Sequence, residues 1–180
     1  MIAFVSMLRG INVGGQKKIS METLRGIYEG LGFAHVRTYV QSGNVVFVTS
    51  EQDRTVLTKR IETHIEQTCG YHVPIFIRSA QELQKILASN PFLTARHEDP
   101  SKLHVSFLYH IPTVPMWSKL TSPGDSVDEF ARVELAIYLF CPNGYGKTKL
   151  SNAFFERKLG MPVTTRNWNT VKTLYTMILD

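Results

Sequence analysis

The stretch LRGINVGG, residues 8–15, links the first predicted strand to the first predicted helix. The residues before it, Ile2–Met7, form a nearly continuous apolar run, which is typical of a strand buried on both faces. Ser20 is a suitable N-cap, and apolar residues at helical spacing follow it as far as Gly32. Three glycines, one cation and one amide therefore lie between a strand and a helix. Such a junction can cradle an anion, or it can simply be a flexible crossover.

The next segments predict a hairpin, a second helix and a fourth strand. Two β-prone segments, Val36–Val40 and Val45–Val48, flank a tight turn at 41–44. An amphipathic helix over Asp53–Cys69 and a strand over Val73–Arg78 follow. The order strand, helix, strand, strand, helix, strand is that of the split-βαβ, ferredoxin-like unit. Its usual form is an antiparallel sheet with both helices on one face.

The second half predicts the same order again. Its strands are expected at Leu103–Tyr109, Ser126–Ala131, Val133–Phe140 and Val163–Thr165, and its helices at Val114–Leu120, Lys149–Leu159 and Trp168–Leu179. We therefore predict an α+β fold of duplicated ferredoxin-like subdomains with antiparallel sheets and a C-terminal helix, although no residue-level repeat is visible. The predicted division is a first subdomain over 1–78, a connecting helix and loop over 79–101, and a second subdomain over 102–180.

Composition limits the classes of function. The chain has 180 residues and a net charge of +5, which permits binding to phosphates or nucleic acid without requiring it. Cys69 and Cys141 lack CxxC spacing, so we expect two reduced thiols in a cytoplasmic protein. No signal peptide or apolar run of about 20 residues is present, so no membrane association is expected. The six histidines show no HExxH-type spacing, and no metal site is predicted.

The glycine loop is the first candidate ligand site. Its backbone N–H groups, with Asn12, Gly14 and Gly15, could converge on an anion beside a helix N-terminus. Arg9 would add a bidentate fork, with Lys17 and Lys18 as further charge. The loop is neither a Walker A motif nor G-x-G-x-x-G. In the alternative interpretation, the glycines only provide positive φ and the arginine pairs with a carboxylate.

The hairpin turn is the second candidate, through Gln41, Ser42 and Asn44. A turn requires glycine or asparagine but has no need of glutamine. We predict that this turn lies at the opposite end of the sheet from the glycine loop, about a strand length or roughly 20 Å away. A shared site would then need the second half or a partner chain. Alternatively, the turn is stabilised by its own side chains.

Two further candidates lie in the second half. The loop 143–149 contains Lys147 and is predicted to lead directly into a helix. It is either an anion site or an ordinary loop, but not an ATP-hydrolysing P-loop. In the segment TRNWNT, residues 165–170, Asn167 or Asn169 is a suitable helix cap. Arg166 and Trp168 together could stack on a base or anchor a partner. The alternative is a tryptophan tucked under the helix, with the arginine bonded to carbonyl groups.

These motifs carry a family resemblance. The segments LRGINVGG at 8–15, YVQSGNVVF at 39–47 and TRNWNT at 165–170 resemble a widespread bacterial domain-of-unknown-function family, number 1697. The segment 142–151 is similar to that family's C-terminal glycine motif, but it has Thr148 where serine is most common. The resemblance implies two similar α+β subdomains, and it implies no activity, cofactor or catalytic residue.

Three functions stay open from the sequence. The first is a module that binds a phosphorylated small molecule, a nucleotide or nucleic acid. The second is an enzyme on a small anionic substrate, with Arg9, Lys147 and Arg166 as charge clamps, but no general base is identified. The third is a structural protein whose motif side chains hold the two subdomains together. No cofactor can be named, and the oligomeric state is open between monomer and homodimer.

Overall fold

The computed structural model describes residues 1–124, 126–134 and 136–180. The elements of the first half are β1 (Ile2–Leu8), α1 (Met21–Gly30), β2 (Ala34–Tyr39), β3 (Asn44–Thr49), α2 (Arg54–Cys69), β4 (Ile75–Ser79) and α3 (Ala80–Ala88). The elements that follow are α4 (Pro91–Thr94), β5 (Leu103–Leu108), α5 (Val114–Ser118), β6 (Glu129–Val133), β7 (Ala136–Phe140), α6 (Asn152–Leu159), β8 (Val163–Asn167) and α7 (Trp168–Leu179). Short 3-10 turns lie at Pro100–Lys102 and Tyr145–Lys147.

Two four-stranded sheets have the same strand order. The first is β2-β3-β1-β4 and the second is β6-β7-β5-β8, and all neighbouring strands are antiparallel. This is the ferredoxin-like order, so the predicted α+β fold class is confirmed. An origin by duplication stays a prediction.

The two sheets also agree in register. Each central strand contains Val-Ser-x-Leu, at 5–8 and 105–108, and each last strand places an arginine opposite that valine. The equivalent pairs are Val5–Arg78 with Val105–Arg166, and Leu8–Ile75 with Leu108–Val163. The short repeat escapes notice in the sequence because only the strand pairing shows which positions correspond.

Each sheet packs helices against one apolar core. In the first half, side chains of α1 and α2 such as Leu24 and Ile61 are fully buried against sheet residues that include Phe47. Tyr28 of α1 is buried there and its hydroxyl meets Ser6 Oγ at 2.5 Å. Burial raises the pKa of Tyr28, so the phenol stays neutral. In the second half, α6 packs its phenylalanines on β5 and β7 in the same way.

These elements fall into two compact units. One comprises Met1–Leu83 with Leu174–Asp180, and the other comprises Gln84–Thr173. The end of α7 therefore groups with the first unit, where Arg37 donates a hydrogen bond to the carbonyl of Met177. The predicted subdomain ranges stay a prediction. Within the described parts of the chain, no helix is long and apolar enough to cross a bilayer.

Several predicted boundaries in the second half are wrong. The helix predicted from Lys149 begins at Asn152, because Ser151 is its N-cap and accepts a hydrogen bond from Phe154 N at 3.2 Å. The strand break predicted between 131 and 133 does not occur, since β6 continues to Val133 and pairs there with Ala136. The hairpin turn is thereby shifted toward Glu134.

Candidate functional site

The glycine loop and the β2–β3 turn lie at the same end of the first sheet. The β1–β3 register pairs Met7 with Asn44, so β3 begins where β1 ends. The prediction that a strand length separates the two motifs is wrong. Strands β1 and β2 are both antiparallel to β3 and run in one direction, so the turn that follows β2 lies beside the loop that follows β1.

Asn12 bonds the two motifs together. Its Nδ2 donates to the carbonyl of Gln41 at 2.8 Å and to the carbonyl of Ile19 at 2.9 Å. Its Oδ1 accepts from Ile19 N at 3.0 Å. The residue has a φ of 55°, a left-handed conformation that asparagine adopts more readily than most residues. One side chain therefore closes the glycine loop on itself and attaches it to the hairpin turn.

The glycines of the loop form a tight turn. Gly14 and Gly15 have φ angles of 61° and 77°, and Gln16 N donates to the carbonyl of Val13 at 3.2 Å. Positive φ at both central residues is the mark of a type I′ turn, which glycine favours. A side chain at either position would meet no atom within 4 Å. The backbone conformation, and not crowding, is what requires glycine here.

Hydrogen bonds from buried residues hold the β2–β3 hairpin turn. Leu8 N donates to the carbonyl of Gly43 at 2.8 Å. The Nδ2 of Asn44, a fully buried residue, donates to the carbonyl of Tyr39 at 2.9 Å and to Ser42 Oγ at 3.1 Å. These bonds of Asn44 shape the turn, and its role in ligand binding stays a prediction. Gln41 and Ser42 lie nearer the surface, the first exposed and the second half-buried.

A cleft of about 360 Å³ opens between the two motifs. The residues that line it are Asn12, Gly15, Lys18, Ile19, Ser20 and Gln41. One cation and no carboxylate occur in that described lining. Lys17 is turned away, because its Nζ donates to the carbonyl of His72 at 2.8 Å. Arg9 is half-buried and lies outside the lining, so its predicted clamp role has no geometric support in this cleft.

The groups left for a ligand are few and polar. The Lys18 ammonium is exposed, and the Lys18 backbone is fixed because its carbonyl accepts from the Tyr71 hydroxyl at 2.8 Å. Within the described chain, neither the Gln41 carboxamide nor the Gly15 N–H makes a hydrogen bond. Ser20 caps α1, accepting from Thr23 N at 3.0 Å. The cleft thus offers one positive charge and several hydrogen-bonding groups to a ligand.

The glycine-lysine loop of the second half is held by a buried acid. Thr148 Oγ1 donates to Asp128 Oδ2 at 2.7 Å and accepts from Leu150 N at 3.0 Å. Burial raises the pKa of the neighbouring Cys141 to about 11, against a smaller opposing effect of its hydrogen bond with Thr148. Lys147 is exposed on a 3-10 turn and opens no helix. The prediction that this loop begins a helix is therefore wrong.

The TRNWNT segment makes hydrogen bonds within its own half. Asn167 caps α7, because its Oδ1 accepts from Thr170 N at 2.8 Å. Trp168 is 4% exposed and presents no open ring face for a base. Arg166 is buried and its Nη1 donates to Thr164 Oγ1 and to the carbonyl of Thr165, at 2.8 and 2.9 Å. The sharing of one site by Lys147, Arg166 and the glycine loop stays a prediction.

Sequence reasoning missed the equivalent arginine of the first half. Arg78 is buried, its Nη1 donates to the carbonyl of Ile77 at 2.8 Å, and burial lowers its pKa to about 10. The position of Arg78 could have revealed it, since Arg78 and Arg166 are each the penultimate residue of the last strand of their sheet. No group of three or more potential metal-ligating side chains is found among the residues that the structure describes.

Comparison with known proteins identifies a family. A family described as "Protein of unknown function (DUF1697)" matches residues 1–138, a range that includes the glycine loop and the hairpin turn. No similar sequence is found among curated proteins. Among solved structures, the conserved bacterial protein SP0830 from Streptococcus pneumoniae is similar, with a TM-score of 0.75 and 22% identity over 98% of each chain. At that identity the likeness shows the fold alone. The chain thus belongs to the DUF1697 family of proteins of unknown function.

Proposed function

We propose that the protein binds a phosphorylated or otherwise anionic small ligand in the cleft between the glycine loop and the β2–β3 turn. The observation that carries this proposal is the set of bonds from Asn12, which join both motifs into one cleft that holds Lys18 and no carboxylate. A volume of about 360 Å³ is at the lower end of the range for small-molecule sites.

The chemistry of the lining favours phosphate. Lys18 supplies a point charge for an anionic oxygen, and charge-assisted hydrogen bonds are stronger than neutral ones. The Gly15 N–H and the start of α1 next to Ser20 add donors of positive partial charge. Gln41 can donate and accept, so it suits the sugar or base of a nucleotide.

Binding is better supported than catalysis. An enzyme needs a general base or nucleophile within reach of its substrate. The described lining contains no histidine, cysteine, aspartate or glutamate. In the same proposal the protein works in the cytoplasm, which is supported by its two cysteines, Cys69 and Cys141, both free thiols.

Isothermal titration calorimetry tests the proposal. The wild-type protein is titrated with inorganic phosphate, pyrophosphate, a nucleoside 5′-monophosphate and a single-stranded oligonucleotide, at low and high salt. We expect at least one phosphorylated compound to bind, and Lys18→Gln to weaken it about tenfold or more, because a hydrogen bond to a charged group contributes roughly 1.5–3 kcal/mol.

Lys59→Gln is the matched control. Lys59 is also an exposed lysine of the first half, but it lies on α2 outside the cleft, so its loss should leave binding unchanged. Equal losses in both variants, or no binding of any compound to the folded wild type, would overturn the proposal. If only the oligonucleotide binds, with an affinity that falls steeply as salt is added, the ligand of the cleft is nucleic acid and not a small molecule.

A further inference from the structure

A second cleft occupies the equivalent end of the second sheet. Phe107 near the end of β5 pairs with Ala136 at the start of β7, so the loop after β5, helix α5 and the β6–β7 turn meet there. The cleft measures about 320 Å³ and is lined by Val114, Trp117, Ser118, Arg132 and Glu134. It has the same position in its sheet as the proposed ligand cleft, but its chemistry is different.

Its central feature is an arginine stacked on a tryptophan. The guanidinium carbon of Arg132 lies 5.5 Å from the centroid of the Trp117 ring, within the range of cation–π attraction. Arg132 Nη1 donates to the Trp117 carbonyl at 3.0 Å. These are the contacts that the guanidinium makes with the described residues, so its Nε and Nη2 donors stay open to a carboxylate.

The charge of the cleft comes from Arg132. Glu134 also lines it, but both carboxylate oxygens of Glu134 accept from Lys85 Nζ, at 2.7 and 2.9 Å. That acid is therefore neutralised locally, and the arginine remains uncompensated. Val114 is 81% exposed at the rim, directly before Pro115, and presents an apolar side chain to solvent.

We propose that this second cleft docks an acidic peptide segment of a partner protein. A carboxylate of the segment pairs with the open donors of Arg132, and a neighbouring apolar side chain packs on Val114 and the free part of the Trp117 ring. Tryptophan and arginine are the residues that most often dominate protein interfaces. Nucleic acid fits less well, because a phosphate backbone is held by several cations and the described lining of this cleft supplies one, Arg132.

Tryptophan side-chain NMR tests the proposal. The chain has two tryptophans, and Trp117→Phe assigns their indole N–H signals. A pool of short peptides with leucine or phenylalanine next to aspartate or glutamate is added to the full-length protein, and a pool with lysine in place of the acids is the control. We expect the acidic pool to shift the Trp117 signal and to leave the signal of the buried Trp168 in place.

Substitutions then identify the contact. Arg132→Gln should weaken the best peptide about tenfold or more, and Arg132→Lys should weaken it less, because charge is kept and the fork is lost. Lys119→Gln, an exposed cation just after α5 and outside the cleft, should have no effect. No shift with the acidic pool, an equal shift with the lysine pool, a shift that grows with protein concentration alone, or a shift with an oligonucleotide only would each overturn the proposal.

Discussion

The two clefts occupy equivalent positions in two sheets of one strand order, yet they are built differently. In the first, a long polar loop with a glycine turn leads into α1, a helix of 10 residues that is capped by Ser20. In the second, a short loop leads into α5, a helix of 5 residues whose N-cap, Thr113, makes no side-chain capping bond. The comparison teaches that the sheet fixes where a cleft forms, whereas the loop after the central strand fixes its chemistry.

The difference continues into the hairpin turns. The first turn contains Gly43 and is bonded to the preceding loop through Asn12 and Gln41. The second turn, at Glu134, instead pairs with Lys85 of α3 through an exposed ion pair. Two hydrogen bonds hold the first turn, one from the buried Leu8 N and one from the Asn12 amide, whereas an exposed ion pair contributes little to rigidity. We therefore regard the first cleft as preorganised for a small ligand and the second as adaptable to a peptide.

Gly43→Ala should break the first cleft most severely. Gly43 has a φ of 75°, and a side chain there would lie 2.5 Å from Ile11 Cδ1 and 3.0 Å from Leu8 Cβ. Left-handed strain of about 1–2 kcal/mol and overpacking of about 1–3 kcal/mol then add. We expect the free energy of unfolding, measured in urea, to fall by about 2–5 kcal/mol.

Gly15→Ala is the matched substitution, with a φ of 77° and no atom within 4 Å of the added carbon. It should cost only the strain, about 1–2 kcal/mol. If the two substitutions cost the same, crowding between the hairpin turn and the glycine loop makes no contribution and the first cleft is less closely packed than proposed.

The helices that follow the two last strands are capped by groups of different charge, so we expect them to differ in their response to acid. Ser79 and Glu82 form a capping box at α3: Ser79 N donates to Glu82 Oε2 at 2.9 Å, and Glu82 N donates to Ser79 Oγ at 3.3 Å. Burial alone would raise the pKa of Glu82, but the bond from Ser79 N and the contacts with Arg54 and Arg78 hold the pKa below its ordinary value of 4.5. The corresponding helix, α7, is capped by the neutral Asn167.

Ionised Glu82 should therefore stabilise the fold above about pH 4.5, and this contribution should be lost as the pH falls through the lower folded-state pKa. Urea unfolding between pH 6 and pH 3 should show a smaller loss of stability in Glu82→Gln than in the wild type. Asn167→Ala should cost about 1 kcal/mol at every pH in this window. Parallel pH profiles for Glu82→Gln and the wild type would contradict the assignment.

Hydrophobic periodicity and capping residues were sufficient to predict most elements. Ser20 caps α1 as predicted, and the Trp168–Leu179 helix has the predicted bounds. The position of the cleft was not predictable in the same way, because it depends on which strand ends meet. That arrangement follows from strand direction in the folded sheet, and the sequence reasoning placed the hairpin at the wrong end.

Side-chain roles were harder still to predict. Asn12 and Asn44 are polar residues of candidate motifs, and nothing in their spacing shows that their amides bond to the carbonyls of turns. Trp168 is equally ambiguous, since a tryptophan beside an arginine occurs in binding sites and in cores alike. Burial decides such cases, and burial is a property of tertiary packing, which a local pattern does not encode.

Val40→Gly should have the smallest effect and separates strain from contact. Val40 has a φ of 51°, a conformation that is costly for a β-branched residue, and its side chain is 46% exposed. Relief of about 1–2 kcal/mol of strain exceeds the roughly 0.5–1 kcal/mol entropy cost of glycine, so we expect a gain of about 0.5–1 kcal/mol in urea unfolding. Glu134→Gly, with a φ of 46°, should gain less because the pair with Lys85 is lost. If Val40→Gly stabilises the protein and also weakens phosphate binding, the strained turn helps to bind the ligand by fixing the position of Gln41. If Val40→Gly instead lowers the free energy of unfolding, the first turn stores no strain.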